Sequence, residues 1–284
     1  MKAALYPNFQ KPNALRCARV ACDILAESGI DVTVSEIFRH DFSDKRHIVF
    51  EDIKESAKNA DVVLAIGGDG TILRCAKLLM GSDTKLLGIN TGTLGFMAGL
   101  EADQLDKLSQ LKDGKYEISQ RMTLDVVYHG ENGDIRATAL NEVSARSGSF
   151  HICDFDVYSD EYLVGRYRAD GVLFSTPSGS TAYALSAGGP VIEPDLECIE
   201  MTLICPHSLF SRATMFSPCR KLCLKDTTTR DDNLVINVDG ENFASLHNGE
   251  SIEICRGKNN INFIDLIGNS FHESLCKKMC KPIK

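Results

Sequence analysis

The chain is 284 residues long, 43% hydrophobic and 25% charged, with a formal charge of -8, the balance of a globular protein long enough for two domains. The acidic balance argues against a phosphate-backbone-binding surface, which needs clustered Lys and Arg, so no nucleic-acid partner is expected and any phosphate must be held locally. No run of 18 apolar residues occurs and MKAALYPNFQ lacks the apolar stretch of an export signal, so no membrane partner is expected and the location is read as cytoplasmic.

In chain order, Leu15, Ala18, Cys22 and Leu25 recur at helical spacing and stop at Gly29. The apolar runs VVLAI (62–66) and LLGIN (86–90) read as buried strands flanking a helix from about Thr71 to Met80. Such alternation implies a parallel sheet covered by helices. From about Thr123 the texture changes to short strands: TLDVVYH, IRATALNEVSA, ICDFDVYS, EYLVGRYR, GVLFS, MTLICPH, KLCLKD, NLVINVD, SIEICRG and INFIDL, separated by Gly, Asn, Asp, Ser and Pro clusters. The expectation is an α/β N-terminal Rossmann-like domain over residues 1–118 and a C-terminal all-β sandwich-like domain over 119–267, with a terminal helix, 268–284, packing back on the first. The boundary falls between Gly114 and Gln120.

The eleven cysteines are odd in number and form no CxxC pair, which argues for reduced thiols. His272, Cys276 and Cys280 lie four apart and would share a helix face as three metal ligands. The alternative, an apolar face with Phe271, Leu275 and Met279, is favoured, and no protein metal site is assigned.

Chemistry concentrates in three glycine- and hydroxyl-rich elements. Gly67-Gly68-Asp69-Gly70-Thr71 follows a buried strand and opens a helix, where backbone N–H groups can approach an anion. It is neither a Walker sequence nor GxGxxG, because no Lys-Ser/Thr follows and Leu73 takes the third glycine position. A carboxylate in a phosphate cradle repels the ligand unless it coordinates Mg²⁺ or accepts a hydroxyl proton, so Asp69 is either that group or an acidic helix start stabilised by the dipole. Asn90-Thr91-Gly92-Thr93-Leu94-Gly95-Phe96 brings a second loop to the same sheet edge, where open α/β sheets bind ligands; Phe96 offers a ring face to a base or belongs to the core. The third element runs from Arg168-Ala169-Asp170-Gly171 through a short strand to STPSGSTAYALSAGGP (175–190), whose hydroxyls and N–H groups can hold phosphate or ribose oxygens or simply cap a helix. Asn141-Glu142 pairs an amide with a carboxylate, suiting a ribose diol or an adenine edge, or else a polar strand end.

Taken in this order, GGDGT, NTGTLGF, LNEV, the RADG to STPSGSTAY to SAGGP stretch, PHSL (206–209) and NVDGE (237–241) resemble the NAD kinase family over residues 62 to 241. The resemblance implies an N-terminal α/β domain, a C-terminal β-rich domain, NAD in the cleft between them, and a homodimer or homotetramer. It implies transfer of the terminal phosphoryl group of ATP, with Mg²⁺, to the 2′-hydroxyl of the adenosine ribose of NAD, with polyphosphate as another possible donor. By the same resemblance Asp69 is the catalytic carboxylate that accepts or orients the hydroxyl proton, Gly70 lies against the dinucleotide and Phe96 flanks the adenine. Asn141 and Glu142 match the pair that holds the ribose hydroxyls. Asp170, Ser178, Thr181, Ala182, Tyr183, Ala184, Leu185 and Ser186 match the stretch wrapped around the dinucleotide, and Arg74 and Arg168 occupy positions where relatives use a basic or polar residue. Asp239 and Gly240 fall in a loop near the cleft, at which some members replace the glycine.

Three other readings compete. A lipid or sugar kinase of the wider GGDGT group would keep Asp69 but change the second and third motifs. A non-catalytic dinucleotide sensor would bind NAD or NADP without transfer. An oxidoreductase lacks support, because GxGxxG and its following acidic residue are absent.

Overall fold

The computed structural model describes residues 1–92, 95–130, 133–149, 151–209, 211–228, 233–268 and 270–279. Thr93 and Leu94 of the second motif, Cys280, and the end of the expected terminal helix lie outside the described residues. The chain divides into two compact units, Met1–Gln120 with Ile261–Lys284, and Arg121–Asn260.

The first unit begins with β1 (Lys2–Pro7), α1 (Ala14–Glu27), β2 (Asp31–Ser35), β3 (Ile48–Glu51), α2 (Ile53–Asn59), β4 (Val62–Gly67), α3 (Asp69–Leu78), β5 (Lys85–Asn90), β6 (Leu100–Glu101) and β7 (Glu117–Arg121). Helix α1 forms where small apolar residues recur every three or four positions, burying Cys17, Ala18, Ala21, Cys22 and Leu25, and Gly29 beyond it takes a φ of 70° that ends it. Helix α2 starts because the Asp52 carboxylate accepts a hydrogen bond from Lys54 N–H. All six residues of β4 are buried, as expected for a central parallel strand covered on both faces.

The second unit holds β8 (Leu124–Gly130), β9 (Gly133–Ala139), β10 (Glu142–Ser147), β11 (Cys153–Ser159), β12 (Tyr162–Ala169), β13 (Gly171–Ser175), α4 (Tyr183–Ser186), β14 (Ile199–Ile204), β15 (Thr214–Phe216), β16 (Leu222–Asp226), β17 (Leu234–Val238), β18 (Glu241–Leu246) and β19 (Ser251–Arg256). They form two six-stranded sheets, ordered β15-β14-β13-β10-β17-β18 and β12-β11-β16-β19-β8-β9. Alternate residues of both, including Val143, Phe174 and Ile236 of one and Val126, Phe155 and Ile252 of the other, share one core. The chain then returns to the first unit with β20 (Ile261–Asp265) and α5 (Ser270–Met279).

Two differences from the sequence reading matter for the site. INFIDL, counted among the sandwich strands, is β20 and pairs parallel with β5, Phe263 opposite Leu86. The first sheet therefore runs β3-β2-β1-β4-β5-β20-β7, with β6 also on β5. Alternation alone could not assign it, because any half-buried strand shows the same period whichever sheet it joins. IRATALNEVSA, read as one strand, is two. β9 pairs with β8 in one sheet and β10 with β13 and β17 in the other, so the chain crosses the sandwich at Leu140-Asn141.

Candidate functional site

In the first unit, Gly67 ends β4 so close to α3 that a β-carbon there would lie 2.5 Å from Thr71 Oγ1. A β-carbon at Gly68, Gly70 or Gly92 would meet nothing within 4 Å. These three glycines border open space, which is what a ligand needs to approach backbone N–H groups. Asp69, the first residue of α3, ties the two loops together: Oδ2 accepts from Phe96 N–H at 2.9 Å and Oδ1 from Met97 N–H at 3.2 Å. Gly95 makes room for this clamp, since its β-carbon would fall 2.0 Å from Asp69 Oδ1.

Asn90 braces the second loop, accepting from Gly92 N–H at 3.1 Å and donating to Glu101 Oε2 at 2.8 Å. Burial pushes the Glu101 carboxyl up, the Asn90 hydrogen bond and the Lys277 charge oppose it, and the charges of Asp103 and Asp69 add to the rise. The Phe96 ring is nearly buried, 9% exposed. It packs on Phe271 of α5 with centroids 6.2 Å apart, and Lys278 Nζ lies 3.9 Å from its centroid. Arg74 is exposed and points elsewhere, into a cavity of about 610 Å³ that it lines with Tyr6, Asn8, Phe9, Ser35 and Phe38. That cavity sits at the carboxyl ends of β1 and β2, beside the β1/β4 reversal of strand order where open α/β sheets take ligands. Asn8 joins it to the first loop through a 3.1 Å hydrogen bond from Nδ2 to Thr71 Oγ1.

In the second unit, Asn141 and Glu142 stand at the crossover between the sheets, and Asp239 holds them. Its Oδ1 accepts from Asn141 N–H at 2.7 Å and Glu142 N–H at 3.1 Å, and its Oδ2 from Leu140 N–H at 2.9 Å. Asp239 has a φ of 48°, a left-handed conformation that short polar side chains tolerate. The STPSG turn closes the other side: Thr176 N–H donates to Asn141 O at 2.9 Å and Thr176 Oγ1 to Leu140 O at 2.6 Å. Gly179 is pressed against the same peptide, its β-carbon position 2.1 Å from Asn141 O. The arrangement leaves Asn141 Oδ1 buried with no hydrogen-bond partner among the described residues, an acceptor available to a ligand hydroxyl or amino group.

Around this point Ser178 is buried, Thr181, Ala182 and Tyr183 are half-buried, and Leu185 and Ser186 are exposed. The Tyr183 ring faces the Arg146 guanidinium at 6.0 Å. Ala184 is 0% exposed, packed on Leu173 and Ile204, so it supports α4 from beneath and has no side-chain surface to offer. Arg168 and Asp170 are not brought to Asn141 and Glu142. Glu142 pairs with Ser175 at one end of β13 and Arg146 with Gly171 at the other, about 13 Å away along the strand. Arg168 is exposed there and is paired with Asp154 through contacts of 2.7 and 2.9 Å.

The sequence reading gave Asp239 a place but no role, and it passed over Lys278, Glu101 and Glu200. Glu200, on β14, is fully buried under the SAGGP turn, accepting from Thr202 Oγ1 at 2.6 Å, with Oε2 unpartnered among the described residues. Its carboxyl is pushed up by burial. A buried carboxyl in a strand shows no pattern until its neighbours are known.

Comparison with known proteins fits both halves. The ATP-NAD kinase N-terminal domain model matches residues 4–116 and the ATP-NAD kinase C-terminal domain model residues 140–266. The chain is 34% identical to the NAD kinase of Corynebacterium diphtheriae over 293 residues, covering 100% of this chain and 92% of that protein. It is also 34% identical to the NAD kinase of Serratia proteamaculans, covering 94% and 92%. Among solved structures, yeast NADH kinase complexed with NADH superposes with a TM-score of 0.89 at 23% identity, covering 100% of this chain and 89% of that one. An NAD kinase from Archaeoglobus fulgidus in complex with ATP gives 0.76 at 23% identity, covering 99% and 100%; at these identities the likeness speaks to fold. With both domain models matched in order and curated relatives a third identical along its length, the chain belongs to the NAD kinase family.

Proposed function

We propose that this chain, as an NAD kinase, transfers the γ-phosphoryl group of ATP to the 2′-hydroxyl of the adenosine ribose of NAD, giving NADP and ADP. The observation that carries the reading is the Asp69 carboxylate, fixed by two backbone N–H groups at a glycine turn where a β-carbon on Gly68 or Gly70 would meet nothing within 4 Å. In the transfer the 2′-oxygen bonds to the γ-phosphorus as the bridging bond to ADP breaks. The hydroxyl proton passes to Asp69, and ADP leaves with the electron pair. Such a loose transition state asks for in-line positioning and charge neutralisation more than for covalent chemistry.

NAD is proposed to lie against Gly70 and Phe96, with its ribose hydroxyls on Asn141 and Glu142 and the remainder along Ser178, Thr181, Ala182, Tyr183, Leu185 and Ser186. The unpartnered Asn141 Oδ1 supports this part. Ala184 contributes as the buried floor of α4. Arg74, on the wall of the β1/β2 cavity, is better suited to the phosphates of the donor nucleotide, whose base and ribose fit that apolar, asparagine-edged space. Mg²⁺ is read as entering on ATP. No three His, Cys, Asp or Glu side chains converge among the described residues, and a magnesium ion needs few protein ligands when phosphates supply the rest.

The separation of Arg168 and Asp170 from Asn141 within one chain supports a homo-oligomer in which a second copy brings those two residues to the dinucleotide. No described helix is long and apolar enough to cross a membrane. The test is NADP formation by purified protein with NAD, Mg²⁺ and ATP, read by an NADP-specific dehydrogenase. NAD binding without NADP formation from any donor would favour the sensor reading instead.

A further inference from the structure

Among the described residues of its own loop and helix, the glycine turn that carries Asp69 has no cation of the kind phosphoryl-transfer sites place on the migrating group: no Lys follows GGDGT, and Arg74 faces another cavity. A cation does reach the clamp, from the far end of the chain. Helix α5 touches Phe96 at two points, Phe271 and Lys278. These residues are seven apart, about two turns, and so lie on one stripe of the helix. Long helical side chains lean toward the helix N-terminus, which carries the Lys278 ammonium back over the Phe96 ring at 3.9 Å.

Phe96 N–H is itself one of the two donors to Asp69. The Lys278 ammonium lies within Coulombic reach of the Asp69 carboxylate, which favours its charge, while desolvation lowers it below the usual ammonium range. The other charged groups on the elements packed here are Glu101 on β6, which interacts with both Asp69 and Lys277, and Lys277 and His272 on α5. Lys277 is engaged by Glu273 at 3.2 Å. Lys278 is held instead by an aromatic face, an attraction that a phosphate oxygen easily exceeds.

Resting on the NAD kinase reading, we infer that Lys278 is a catalytic residue: its ammonium swings from the Phe96 face onto the non-bridging oxygens of the transferred phosphoryl group and stabilises the charge there. It keeps its protons throughout, and Asp69 alone takes the proton of the hydroxyl. The pairing also gives α5 a reason to close on this loop. Without it, Arg74 in the neighbouring cavity would be the side-chain countercharge to the triphosphate among the residues described above.

The experiment compares wild type, K278M and K278R for kcat, for KM of ATP, for NAD affinity by calorimetry, and for the pH dependence of kcat. Methionine keeps length and ring packing but removes the charge. K278M is expected to lose about 10²-fold in kcat with NAD affinity and melting temperature unchanged. K278R is expected to recover most of that loss and to move the alkaline limb of the profile to higher pH, because a guanidinium does not titrate there. K278M within threefold of wild type, or K278M and K278R equally impaired, overturns the inference. If wild type itself makes no NADP, the functional reading falls and this inference falls with it, so the two failures are distinguishable.

Discussion

Gly95 lies so close to Asp69 that a β-carbon on it would come within 2.0 Å of Oδ1. No positive φ is involved, so the constraint is contact with the carboxylate and not backbone strain. Gly95→Ala must therefore push the carboxylate off Phe96 and Met97 N–H. An ångström of misplacement costs about 10²-fold in rate, so kcat is expected to fall by about that factor while the melting temperature moves little. Steady-state kinetics beside a thermal melt checks this; a fully active variant would mean that the clamp does not set the position of Asp69.

Asp239 offers a cleaner separation of carboxylate from backbone. Asn tolerates the same left-handed φ, so Asp239→Asn leaves the turn geometry alone and removes one of the two acceptor oxygens. At least one of the three buried N–H groups at Leu140, Asn141 and Glu142 then loses its partner, at about 1–3 kcal/mol. The expected outcome is a lower melting temperature together with a KM for NAD raised about tenfold or more. A change in stability with no change in KM would assign Asp239 to the fold alone.

Glu200 sets a pH dependence of stability. Burial raises its carboxyl above the unfolded value, so the folded chain binds the proton more tightly than the unfolded chain. That contribution is complete below the unfolded carboxyl pKa of about 4.3 and is lost as pH climbs from there through the raised folded value. Glu200→Gln, which stays neutral, is expected to melt above wild type at pH 8, with the difference shrinking toward pH 4. Parallel melting curves at the two pH values check it; an equal difference at both would show that folding leaves the proton affinity of the carboxyl unchanged.

If a second copy supplies Arg168, then Arg168→Ala and Asp69→Asn damage different chains of the same site. Each variant alone is expected to be impaired. Mixing them after dissociation and reassembly should restore NADP formation, because some sites then carry neither change. No recovery on mixing would place Arg168 at the site of its own chain.

How far the site could be read in sequence follows from what each residue's signal was made of. GGDGT and the strands around it were legible because a buried apolar run, a glycine turn and a helix start are local events. The sandwich was legible as a texture of short strands, but its connections were not. Whether Ile261–Asp265 joins β5 or the sandwich, and whether Leu140-Asn141 continues a strand or crosses between sheets, depends on pairings with residues far along the chain. The same holds for Asp239, whose three partners lie 97 to 99 residues upstream. Lys278 gave no sign in a tail that reads as an ordinary amphipathic helix; its contact with Phe96 spans most of the chain.

In the proposed reaction Asp69 takes the proton of the 2′-hydroxyl from a position fixed by Phe96 and Met97 N–H. This is tested most directly by measuring kcat and NAD affinity side by side for wild type and Asp69→Asn, since the amide keeps the shape and loses the base. A fall in kcat of about 10²–10⁴-fold with NAD affinity within a few-fold of wild type is the expected result; near-normal turnover by the variant would contradict the assignment.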